Sequence, residues 1–303
     1  MDIKLILLTL GFLAPYQALG QAESVTSSID HLTETPSLLS TEHRPISVFS
    51  IPATKGRGGS GETRFLIQGG LHGDEVLTIA FVQWLRDRLV AGISPLNSLG
   101  TNVVFDLVPR ANPDRAGSGR YNARKVNLNR NFGIHWGISR EPMGSQAFSE
   151  AETRALKALL LKRRYLAAID VHGYANWLVI PSAQGLSQID PEQRDRYNAW
   201  QEAAHRQAKG LGSIQRYEVR RAIELGDGGA FEDWAYWGSG TLALCLEMAR
   251  NERFTRNSRG GVVDSFLVYE SFIGRMFQDA LKLDSTNRTY QVRTPREADR
   301  PAH

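Results

Sequence analysis

Short apolar runs at residues 46–51, 64–68, 103–108, 166–171, 177–180 and 242–246 alternate along this chain with longer stretches of helical periodicity. Runs of that length bounded by turn residues read as strands, and strands that alternate with helices assemble into an α/β domain. Helical patterns begin near Asp74, Glu150, Pro191 and Val263. Ser149 and Glu152 are spaced as a capping box at the head of the second. The expected fold class is α/β: a single domain with a central mixed, largely parallel sheet flanked by helices.

A length of 303 residues allows a substantial core, and 42% hydrophobic against 22% charged residues is the balance of an ordinary globular domain. A net charge of +4 without a long basic run gives no reason to expect a nucleic-acid partner. Residues 1–20 read as a signal peptide: Lys4 precedes the apolar residues 5–13, and Ala18 and Gly20 put small residues where cleavage needs them. Residues 21–42, rich in Ser, Thr, Gln and Glu, read as a linker or N-terminal arm, 43–283 as the folded domain and 284–303 as a disordered tail. The expected location is secreted or periplasmic, with no stable membrane insertion once the signal is removed. Cys245 is the only cysteine, so no internal disulfide forms, and its apolar setting makes it a core filler.

Chemistry concentrates just after the expected strands. His72 and Glu75, in Gly69-Gly-Leu-His-Gly-Asp-Glu75, offer an imidazole and a carboxylate where a strand gives way to a turn. That is half of a zinc site, and His172 at the end of the run 166–171 is the candidate third ligand. Two histidines and a glutamate leave a tetrahedral zinc one open position, the arrangement of a catalytic site. Glu247 ends the run 242–246, where apolar surroundings raise a carboxyl's pKa toward the range of a general base. The basic, Asn-rich stretch 120–132 holds Arg120, Arg124, Asn129 and Arg130. An asparagine beside an arginine can hold a carboxylate, and another arginine can stabilise an oxyanion. In open α/β sheets ligands gather beyond the carboxyl ends of strands, which favours one shared site.

In their order, His72-Gly-Asp-Glu75, Asn127-Leu-Asn129-Arg130-Asn131-Phe132, Asp170-Val-His172 and Leu246-Glu247 resemble the zinc carboxypeptidases related to carboxypeptidase A. Pro109-Arg-Ala-Asn-Pro-Asp114, Ser149-Glu-Ala-Glu152 and Asp233-Trp-Ala-Tyr236 also resemble family segments, and the likeness spans roughly residues 44–283. In compactness the chain looks closer to the bacterial murein-peptide amidases of that family than to its digestive enzymes. The resemblance implies a zinc carboxypeptidase-like catalytic domain with one zinc ion on His72, Glu75 and His172. It implies Glu247 as general base, Arg120 at the oxyanion, and Asn129 and Arg130 on the substrate's carboxylate, with Arg124 a competitor for either arginine role. Counting back from Glu247 places Glu232 at the floor of the specificity pocket, where a carboxylate suits a cationic side chain; a solvated turn residue is the other reading. Departures are Asn127, where the family has an aspartate supporting the first histidine, Gly173 in place of a serine, and Leu225 in place of a mobile tyrosine, with Tyr217 a weak substitute. His135, beside Trp136, is a possible cleft residue on sequence grounds.

The function expected is an exported zinc metallocarboxypeptidase acting on a peptide or muropeptide. Two other readings stay open: a zinc deacylase of small N-acyl amino acids, related to succinylglutamate desuccinylase and aspartoacylase, and a catalytically inactive peptide-binding protein.

Overall fold

A computed structural model describes residues 38–54, 61–181, 197–200, 202, 218–221, 227–248, 252–256 and 260–286. The expected signal peptide, most of the expected arm, the start of the helix near Pro191, Tyr217, Leu225 and most of the tail lie outside them, while residues 197–200 of that helix are helical as expected. The described strands are β1 (Phe49–Pro52), β2 (Thr63–Gly69), β3 (Val103–Val108), β4 (Ala167–Gly173), β5 (Trp177–Ile180), β6 (Glu218–Arg221), β7 (Leu242–Met248), β8 (Phe254–Arg256) and β9 (Val262–Asp264). The helices are α1 (Val76–Ala91), α2 (Ala151–Arg163), α3 (Phe231–Ser239) and α4 (Ser265–Thr286). Seven strands form one sheet in the order β1-β3-β2-β4-β7-β5-β6, while β8 and β9 form a separate hairpin. Its central ladder β3-β2-β4-β7 is parallel, and β1 and β5 pair antiparallel on either side. The fold is the mixed, largely parallel α/β sheet expected.

Central strands are buried on both faces, as parallel sheets require. Phe65, Ile67, Phe105, Ile169, Val171, Leu244 and Leu246 pack with α1 and α4 on one face. Leu66, Val108, Ala168 and Ala243 pack with α2 and α3 on the other. That second face also carries the polar residues, because Gln68, Asp170 and Cys245 lie in step with it across β2, β4 and β7.

Helix α2 starts differently from the sequence reading. Its N-cap is Glu150, and no side chain of the expected Ser149–Glu152 box caps it. Asn131 does so from a distance, its Oδ1 accepting from Glu150 N at 3.1 Å and Thr153 Oγ1 at 2.7 Å. Glu152 turns instead toward the N-terminal segment, accepting from Thr41 N and Thr41 Oγ1 at 3.0 Å. Ser40 Oγ donates to Asp114 at 2.5 Å, so residues 38–42 pack onto the domain.

One buried charge locks β3 under α2. Asp106 is fully buried, and Tyr165 donates to it at 2.7 Å. Arg64 lies at 3.2 Å and Arg163 at 3.7 Å. Removing one partner of a buried pair strands the other, but both arginines keep some solvent contact. Asp106→Ala should therefore destabilise the fold by about 3 kcal/mol, the low end for broken buried pairs, read as a lower urea midpoint.

Candidate metal centre

The turn after β2 is clamped by the turn after β3. Ala111 and Asn112 donate their backbone N–H groups to the carbonyls of Gly69 and Gly70, both at 3.0 Å. Asn112 Nδ2 reaches the carbonyls of Leu71 and Tyr121 at 3.4 Å. Gly73 permits a further close approach: a Cβ there would sit 2.1 Å from the carbonyl oxygen of Arg115 and 2.4 Å from that of Gly119. The loop carrying Arg120 can therefore lie directly against the His72–Glu75 turn.

His72, Glu75 and His172 meet. His72 Nδ1 lies 2.8 Å from Glu75 Oε1, and His172 Nδ1 lies 3.0 Å from Glu75 Oε2 and 3.1 Å from His72 Nδ1. All three side chains are buried. Each outward ring nitrogen is tied: His72 Nε2 to Asn127 Oδ1 at 2.9 Å, and His172 Nε2 to Asp170 Oδ2 at 2.8 Å. These oxygens hold a proton on Nε2, so both Nδ1 atoms face inward as the ligating nitrogens. Zinc bonds of about 2.0–2.1 Å in a tetrahedron require donor atoms roughly 3.3–3.4 Å apart, so this triangle needs to open only by tenths of an ångström. The donor set fits zinc, and these three residues are its site.

The charges are strongly coupled. Burial opposes ionisation of Glu75, but the charge and hydrogen bond of His172 hold its carboxyl well below the usual range. Burial also opposes charging His172, yet Asp170 and Glu75 raise its pKa well above the usual imidazole value. His72, similarly buried, shifts down. Glu247 sits opposite His172 in the β4–β7 register. Burial pushes its carboxyl up to about 7 against the pull of His172, and its Oε2 has no hydrogen-bond partner.

Arg120 reaches the centre, with Nη1 3.1 Å from Glu75 Oε1, whereas Arg124 is exposed. Asn129 and Arg130 are almost fully buried. Asn129 Oδ1 accepts from Phe231 N at 2.8 Å, and Arg130 Nη2 meets Glu141 at 3.1 Å and Asp227 at 2.7 Å. Burial raises the Asp227 carboxyl. Glu232, in the first turn of α3, is not a solvated turn residue: it is 1% exposed. Burial, with the charge of Asp233, raises its carboxyl well above the usual range, and it feels the charges of Asp170 and His172. His135 is half-buried, and burial lowers its pKa. Sequence reading missed Glu141, Asp227 and Tyr174, whose hydroxyl accepts from Leu77 N at 3.3 Å beside the Glu75 turn. No local spacing signals the first two, since both sit in irregular loops.

A family model described as zinc carboxypeptidase matches residues 22–282. The chain is 27% identical over 205 residues to zinc carboxypeptidase A 1 of Anopheles gambiae, covering 59% of this chain and 47% of that protein. It is 24% identical over 279 residues to carboxypeptidase A6 of Homo sapiens, covering 77% and 60%. It thus spans about half to three-fifths of the length of these curated relatives. The crystal structure of carboxypeptidase A from Helicoverpa armigera superposes with a TM-score of 0.59 at 22% identity, covering 82% of this chain and 66% of that one, a likeness of fold.

Because His172 holds its proton above the usual imidazole pKa, a metal must displace that proton. Zinc uptake at neutral pH should release about one proton, and affinity should fall as pH falls. Calorimetry in buffers of different ionisation enthalpy reads this directly; heats independent of the buffer would contradict it.

Proposed function

The chain belongs to the zinc carboxypeptidase family, and on that footing we propose that it is an exported zinc metallocarboxypeptidase cleaving a peptide bond beside a free C-terminal carboxylate. The observation that carries this reading is the placement of Glu247 opposite His172 on the adjacent parallel strand, at the edge of the triad. Zinc on His72, Glu75 and His172 supplies Lewis acidity, polarising a carbonyl oxygen and lowering the pKa of a water. Glu247 takes a proton from the attacking water and passes it to the leaving nitrogen. A carboxyl pushed up to about 7 is matched to that exchange near neutral pH. Arg120 has guanidinium N–H groups beyond the one on Glu75, and these serve the developing oxyanion.

Asn129 and Arg130 hold the substrate's carboxylate, with Asp227 as the internal partner exchanged on Arg130. The raised pKa of Asp227 makes it the easier carboxylate to release, whereas Glu141 is held ionised below the usual range despite burial. Glu232 reads the side chain: a cation entering beside it recovers the charge that burial suppresses. Substrates ending in lysine, arginine or a free-amine diacid follow, and export brings cell-wall peptides within reach. The N-terminal pattern of Lys4 and the apolar residues 5–13 supports export.

Mass spectrometry of products from a peptide and muropeptide mixture, with and without chelator, tests the activity. Release of C-terminal residues, lost with chelator or amidated termini, is expected. Cleavage confined to N-acyl amino acids would replace this reading with a deacylase, and no hydrolysis at all with a binding protein. Glu247→Gln should keep zinc and lose about 10²–10⁴-fold in kcat, the contribution of general base catalysis. Glu232→Gln should cut kcat/KM for basic C-termini roughly 10–100-fold relative to neutral ones, as expected for losing a hydrogen bond to a charged group. An unchanged preference would remove Glu232 from the pocket.

A further inference from the structure

Asn127 is fully buried, yet as a neutral amide it is a weak orienting group for a metal-binding imidazole. Its hydrogen bonds continue outward. Nδ2 donates to Glu141 Oε2 at 2.6 Å, while Oδ1 faces His72 Nε2 at 2.9 Å and accepts from Asn129 N at 3.0 Å. Both ends of the amide are thereby assigned: reversed, it would set its oxygen against a carboxylate and its NH2 against a backbone N–H.

Glu141 is itself anchored. Its Oε1 accepts from Arg130 Nη2 at 3.1 Å, and its backbone N–H donates to Ser139 Oγ at 3.1 Å. Asn127 N donates to the carbonyl of Pro142 at 2.8 Å, holding the loop beside the amide. The loop and the 3-10 turn that Asn127 caps are thus joined at backbone and side chain.

We infer that Glu141 is a positioning residue of the metal centre, orienting His72 and raising its basicity through the Asn127 amide. A carboxylate on Nδ2 polarises the amide and makes Oδ1 a stronger acceptor for the His72 Nε2 proton. That enriches Nδ1, the nitrogen turned toward Glu75 and His172. The carboxylate that supports the first histidine sits one residue further out, on another loop. This does not depend on the reaction proposed above, because zinc affinity reads it without substrate.

The test is a double-mutant cycle read as zinc affinity by chelator competition, with melting of the metal-free variants as a check on folding. Glu141→Gln should weaken zinc binding about tenfold, at the low end for lost outer support. Asn127→Asp alone should give no gain, since its new carboxylate meets Glu141 where the amide now bonds. In the Glu141→Gln background, however, Asn127→Asp should restore affinity by putting the carboxylate directly on His72. Glu141→Ala should show the same loss and the same rescue. Zinc affinity unchanged in both Glu141 variants would overturn the inference, as would a loss that Asn127→Asp does not repair.

Discussion

The parallel pairing of β2, β4 and β7 is the constraint on which the centre rests. It sets Gly69 beside Val171 and His172 beside Glu247, so three carboxyl ends open in one place. An antiparallel partner at either position would present the amino end of a strand there. His172 and Glu247 are therefore placed by ladder hydrogen bonds deep in the core, and His72 and Glu75 by the turn that leaves β2 beside them. Burial on both faces by two helical layers keeps that ladder rigid.

Assembling so many polar groups in a dry place is costly unless each has a partner. Here most are paired in chains: Asp170 to His172 to Glu75, and Glu141 to Asn127 to His72. The exceptions are informative. Among them, Asp170 Oδ1, Glu232 Oε2 and Glu247 Oε2 lack a hydrogen-bond partner. Each leaves hydrogen-bonding capacity unused at or beneath the centre, which is where a site that binds a ligand keeps its unused valence.

The fold was legible where local chemistry and burial agree. β3 and β5 match their apolar runs to the residue, because polar residues or proline flank both runs in the sequence. β6, Glu-Val-Arg-Arg, was missed since an edge strand needs no apolar face. α3 was missed because it spans only nine residues, too short for a helical period to stand out. In the site, His72, Glu75, His172 and Glu247 could be found from their positions after apolar runs. Glu141 and Asp227 could not, because their roles arise only where separate loops fold onto Asn127 and Arg130. For Arg130 the sequence suggested an open grip, and burial shows one already holding two carboxylates.

The N-terminal segment has a bearing on the order of folding. The Ser40–Asp114 bond closes 74 residues and the Thr41–Glu152 bonds close 111. Asp114 ends the turn before the Arg120 loop, and Glu152 also accepts from Asn122 within it. Made early, Thr41 can complete its bonds only after α2 has been synthesised and packed. The arginine loop is thus stapled late, by the oldest part of the described chain, and the centre gains its full complement of groups only when the domain closes on its own beginning.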